Sequence, residues 1–111
     1  MGTSRSSETD GWIGGASLYS GRRDPTWPVP AEIGLRLEAT WSRLPPWSGA
    51  PPEPPPLGYR GCWLRAPDGR TWTAFRELVS LATDARRDAE REFERSLIAS
   101  APDGWLPPTV L

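Results

Sequence analysis

Two short segments set arginine beside glycine: Ser20-Gly21-Arg22-Arg23-Asp24-Pro25 and Gly58-Tyr59-Arg60-Gly61. Forked guanidinium groups on a tight backbone can cradle a carboxylate or a phosphate. Arg22, Arg23 and Arg60 are therefore candidate anion-binding residues, provided that the first strand lies beside the later hairpin. The plain alternative is an Arg–Asp24 pair that fixes a turn. Tryptophan is the second unusual feature, with 7 in 111 residues. Trp41, Trp63 and Trp72 fall on helical or strand patterns and are assigned to the core. Trp27, Trp47 and Trp105 stand in loops or tails beside proline or glycine. Aromatics in such places either pin the loop to the core or meet a partner.

Other chemistries are closed by residue type. The 13 basic residues are all arginine, and the chain has no His, Lys, Asn or Gln. Without imidazole, no Ser/His/Asp or Cys/His device can operate within the chain. Cys62 is the single cysteine, so neither an intrachain disulfide nor a Cys-rich zinc site can form. On a strand it reads as a small core residue rather than a nucleophile. Glu90, Glu92 and Glu94 stand among arginines and read as solvated charges; no second acid converges with Glu77, as a glycosidase pair would need. No cofactor is implied, and a non-catalytic role is favoured over an enzyme built on Arg, Tyr and Asp.

These residues must be positioned by a small fold. The length suits one domain. Basic residues nearly balance the 14 acidic ones, so no strong field draws nucleic acid or an anionic membrane. Residues 1–15 have no apolar core of a secretory signal, and no stretch suggests a membrane span. The expected location is cytoplasmic.

Along the chain, residues 1–15 read as a flexible tail, and Ala16–Ser20 as a first strand. Two prolines bar a helix between Arg22 and Pro28. Pro30 opens a helix whose stripe is Ile33, Leu37, Trp41 and Leu44, stopped by Pro45-Pro46. Residues 45–57 hold seven prolines and form a stiff connector or a ligand for a Pro-recognising module. Tyr59–Ala66 and Arg70–Val79 read as a hairpin closed by Pro67-Asp68-Gly69. Thr83 or Asp84 then caps a helix to about Ser100, with a stripe of Ala85, Ala89, Phe93 and Leu97 and i,i+3 pairs Asp84–Arg87, Asp88–Arg91 and Glu92–Arg95. Residues 102–111 form a tail.

The expectation is an α+β domain over residues 16–101, ordered β-α-β-β-α. It has a small three-stranded antiparallel or mixed sheet, with two helices on one face and a Pro-rich loop between the first helix and the hairpin. The free edge of such a sheet would accept a second copy, giving a homodimer.

The run Ser20-Gly21-Arg22, Pro25, Trp27-Pro28, the helix ending Leu44-Pro45-Pro46 and Leu57-Gly58-Tyr59-Arg60-Gly61 together resemble a family of small bacterial proteins. Those proteins carry Ser-Gly-Arg-Pro-Asn-Pro-x-Trp and a later Gly-Tyr-Arg-Gly. The resemblance spans about residues 17–100, with Arg23-Asp24 in place of Pro-Asn. It implies a common fold and nothing about reaction or ligand. The functional expectation is a small interaction module that binds a peptide or protein partner. The alternative is a small-ligand or anion-binding domain with clustered Arg and Trp. The candidate site residues are Arg22, Arg23, Trp27, Trp47, Arg60 and Trp105.

Overall fold

The structure, a computed structural model, describes residues 11–18, 24–55 and 58–107. Its elements are β1 (Trp12–Ala16), β2 (Thr26–Val29), α1 (Ala31–Arg43), β3 (Cys62–Arg65), β4 (Thr71–Phe75), β5 (Leu78–Leu81), β6 (Asp84–Arg87) and α2 (Glu92–Ala99). The six strands form one sheet in the order β2-β1-β3-β4-β5-β6, every neighbour antiparallel. This corrects the expected three-stranded sheet and its β-α-β-β-α order.

Each added strand has a physical reason. Trp12–Ala16 contains Gly14-Gly15 and reads as a tail. Its partners make it a strand: it lies between β2 and β3, with Trp12 stacked on Trp72 at 6.2 Å and 18°. The tail expected over residues 1–15 is therefore corrected at Trp12–Gly15, which belongs to β1; residues 1–10 lie outside the described residues. β2 carries Pro28, which a central strand would not tolerate. It sits on the sheet edge, where the ladder leaves the Pro28 nitrogen facing away from β1.

The long strand expected over Arg70–Val79 is two strands. It breaks at Arg76-Glu77, where Arg76 holds a positive φ of 57°. A second two-residue turn, Ala82-Thr83, has Ala82 at φ 55° and closes β5 onto β6. Primed hairpin turns of this kind usually show glycine at the positive-φ position. Arg and Ala gave no such signal. β6 thus occupies the first turn of the expected long helix, which shortens to α2. The expected i,i+3 pairs give way to others: Asp84 meets Arg86 at 2.9 Å, Glu77 meets Arg87 at 2.7 Å, and Arg91 meets Glu94 at 2.9 Å. Asp88 is buried instead and accepts the Phe93 N–H at 2.7 Å, capping α2 from outside.

α1 forms where the apolar stripe places it. Leu37 and Trp41 are buried, Ile33 and Leu44 pack at the margin, and Leu35 points to solvent. Gly34 has a packing reason: a Cβ there would lie 2.3 Å from the Trp12 ring. Only glycine lets the helix approach that indole so closely. The hairpin closed by Pro67-Asp68-Gly69 also forms, as β3 and β4.

Strand parity divides the sheet into two faces. Trp12, Ala16, Trp27, Val29, Cys62, Leu64, Trp72, Ala74 and Val79 point inward and are buried with Leu37 and Trp41 of α1 and Phe93 and Leu97 of α2. The helices pack on each other and cover this face. Ile13, Trp63, Arg65, Thr71, Thr73, Phe75, Leu78 and Ser80 point the other way.

The Pro-rich segment closes one edge. Pro46 bridges Arg86, the Trp47 N–H donates to the Ala85 carbonyl at 2.9 Å, and the Arg87 N–H donates to the Pro45 carbonyl at 2.8 Å. At the other edge the Trp105 indole N–H donates to the outward carbonyl of Thr26 at 3.0 Å. The edge pairing from which a homodimer was expected is thus obstructed at both ends of the sheet.

Candidate functional site

The outward face of the sheet carries a half-open cleft of about 190 Å³. Trp63 of β3 and Phe75 and Leu78 of the β4–β5 hairpin supply apolar walls, and Ser17, Thr73 and Ser80 supply hydroxyls; Arg60 stands at its margin. The neighbouring positions explain the shape. A Cβ on Gly15 would lie 2.3 Å from the Trp63 ring, so the indole lies on bare backbone. The Arg65 guanidinium stands 5.5 Å from the Trp63 ring centre. Phe75 is flanked by the Tyr59 ring at 6.2 Å and by the Arg76 guanidinium at 5.0 Å. The Thr73 hydroxyl lies 3.4 Å from that of Ser80.

A second hollow, about 270 Å³, lies past the β4–β5 turn and is bounded by Trp47, Ala50, Pro52, Arg76, Glu77 and Arg87. The Arg87 guanidinium stacks 4.1 Å from the Trp47 ring centre and donates to Glu77 at 2.7 Å. Arg76 and the adjoining Phe75 separate the two hollows.

Behind the cleft sits a buried polar group. Glu94 of α2 is 0% exposed. Its Oε1 accepts from Arg91 Nε at 3.0 Å, and its Oε2 accepts the Tyr59 hydroxyl at 2.5 Å. The reading of Glu94 as a solvated charge is therefore corrected: α2 turns this position inward, where Arg91 and Tyr59 satisfy the carboxylate. Burial, aided by the thiol of Cys62 and the carboxylate of Glu94, pushes the Tyr59 phenol well above its ordinary value. Burial also pushes the Cys62 thiol up. A buried neutral thiol is a poor nucleophile and a phenol that holds its proton is a poor base.

This group sets an alkaline limit. The ordinary values are 9.0 for the thiol and 10.0 for the phenol. Both are raised in the folded state, so the native protein keeps protons that the unfolded chain releases. Their contribution is whole below the ordinary values and is lost as the pH climbs past them towards the folded ones. The urea midpoint should fall between about pH 8 and about pH 10.5. A Tyr59→Phe, Cys62→Ala variant should flatten that decline. An equally steep decline in the variant would place the titrating groups elsewhere.

The sequence-derived candidates that are described, Trp27, Trp47, Arg60 and Trp105, lie in different parts of the fold. Arg22 and Arg23 lie outside the described residues. Asp24 accepts the Leu18 N–H at 2.9 Å. Arg60 lines the first cleft and Trp47 the second. Trp27 is 1% exposed in β2, its indole N–H donating to the Ser100 hydroxyl at 2.9 Å, so it packs as core. Trp105 is 51% exposed at the distant β2 edge.

Trp63 is the converse: assigned to the core, it stands on the outward face. The register could have shown this, since Trp63 pairs with Thr73 and Leu64 with Trp72, which puts the two tryptophans on opposite faces. Phe75, Leu78, Arg65 and Arg76 carry no signal of a shared site in the sequence, because only the arrangement of the hairpins gathers them.

No protein-family model, curated protein or solved structure matches the chain. Among the described residues no helix is long and apolar enough to cross a membrane, and no cluster of Cys, Asp and Glu could hold a metal ion.

Proposed function

We propose that the chain is a non-catalytic interaction module that recognises a segment of a partner protein on the outward face of its sheet. One observation carries this reading: both helices pack on one face, and the other holds an apolar cleft between Trp63, Phe75 and Leu78. At about 190 Å³, the cleft is smaller than the ~300–1,000 Å³ usual for small-molecule sites. It fits one inserted side chain, the kind of central anchor that dominates protein interfaces. The same size argues against the alternative of a small-ligand domain.

Thr73 is exposed on β4 and lines the cleft without supporting the core. Thr73→Arg should fill the cleft and leave the melting temperature within a few degrees of wild type, as surface changes do (about ±0.5 kcal/mol). In affinity capture from the native cells, a protein retained by the wild type should be missing from this variant. An identical set of captured proteins would overturn the reading.

A further inference from the structure

We propose that the segment recognised is acidic: one large apolar side chain enters the Trp63–Phe75 cleft, and carboxylates on either side of it meet Arg65 and Arg76. This rests on the reading of the outward face as the partner surface and names the chemistry of the partner.

The pairing of the arginines points to it. Arg43, Arg70, Arg86, Arg87 and Arg91 each meet a carboxylate of the same chain. Arg36, Arg65, Arg76 and Arg95 are exposed and, among the described residues, meet none. Of these four, only Arg65 and Arg76 stand over rings of the outward cleft, 5.5 Å from Trp63 and 5.0 Å from Phe75. A guanidinium placed over a ring by a cation–π contact makes no hydrogen bond to it, so its N–H donors remain for a carboxylate. No outward strand position on this face carries an acid; Glu77, in the β4–β5 turn, is the acid beside it and is already paired with Arg87. A chain of net charge −1 thus presents a locally cationic rim around an apolar cleft, which complements an acidic partner and repels a basic one.

The spacing narrows the partner further. Arg65 stands opposite Thr71, at one end of the cleft, and Arg76 follows Phe75 at the other. Five residues along β4 separate the two rows, about 17 Å at ~3.4 Å per residue. An extended partner would therefore carry its acids about two or three residues to either side of the anchor. Single-stranded nucleic acid fits less well. It needs open aromatic faces for base stacking, whereas Trp63 lies on Gly15 beneath Arg65, and Phe75 is held between Tyr59 and Arg76.

A random-peptide display library selected on the full-length protein, with Thr73→Arg as the counter-selection, tests this. Cleft-dependent clones should share Asp or Glu on both sides of a Phe, Leu or Trp. A synthetic peptide of that kind should bind the Arg65→Glu, Arg76→Glu variant about tenfold or more weakly, and the same peptide with Lys for its acids should prefer the variant. Cleft-dependent clones without acidic residues, or affinity indifferent to the charge reversal, would overturn the acidic partner and leave the partner face standing. No cleft-dependent clones at all would overturn both. Tighter binding of oligo-dT than of any selected peptide, lost in the Arg65→Glu, Arg76→Glu variant, would assign the face to nucleic acid instead.

Discussion

A chain that begins at Ser17 is expected to lose cooperative folding. Strand β1 lies between β2 and β3, so its removal leaves β2 with no partner and exposes the ladder edge of β3. The packing loss is larger still. Trp12 is 7% exposed, lies flat against Trp72 and fills the space left open by Gly34. Burying an indole removes about 200 Å² from water, worth ~5 kcal/mol at ~25 cal/mol per Å². Trp27, buried in β2, would lose its support as well. Against a total stability of roughly 5–15 kcal/mol, these losses leave little to hold the rest. Near-ultraviolet circular dichroism and urea titration should show no folded baseline for the shortened chain. A sigmoidal transition at the wild-type midpoint would mean that β1 contributes nothing to the sheet.

Phe93→Ala is expected to cost about 3–5 kcal/mol, the range for truncating a buried aromatic. Phe93 is fully buried, and its ring lies 6.5 Å from that of Trp72 at a 43° tilt. Its N–H is the donor that Asp88 captures to start α2. The side chain therefore ties a helix of only eight residues to the sheet, and such a helix is too short to persist by itself. Its loss should loosen the whole turn that carries Glu94, and with it the carboxylate held by Arg91 and Tyr59. The urea midpoint should fall while the outward cleft, built from β3, β4 and β5, keeps its lining in whatever fraction stays folded. Phe93→Leu should cost less, because it leaves a smaller cavity. A loss under about 1 kcal/mol for Phe93→Ala would show that the site collapses to fill the space.

The expected long helix from Thr83 to Ser100 shows how a local pattern misleads. Ala85, Ala89, Phe93 and Leu97 do recur every four residues, and Phe93 and Leu97 are buried as that stripe requires. Yet Ala85 belongs to a strand and Ala89 to an exposed turn. Alanine is compatible with either structure, so its spacing carried little information. The edge of β5 offered Asp84–Arg87 a full antiparallel ladder. A helix there could offer only the salt bridges of an exposed face, each worth a few tenths of a kcal/mol.

By itself the sequence determined what depends on neighbours along the chain. Pro30, the four-residue apolar stripe and Pro45-Pro46 bound α1, because helix period and proline sterics act within a few residues. Pro67-Asp68-Gly69 closes β3 onto β4, because that turn chemistry is local. The residue inventory excluded imidazole chemistry and an intrachain disulfide. Tertiary structure alone decided the rest. A Gly-Gly segment and a Pro-bearing one became β1 and β2 because other strands hydrogen-bond to them, which no window of the sequence records. Glu94 is an interior residue because α2 turns it towards Tyr59. Trp63 is a surface residue and Trp72 a core one because both helices dock on a single face of the sheet, and which face is covered depends on contacts between residues far apart in the chain.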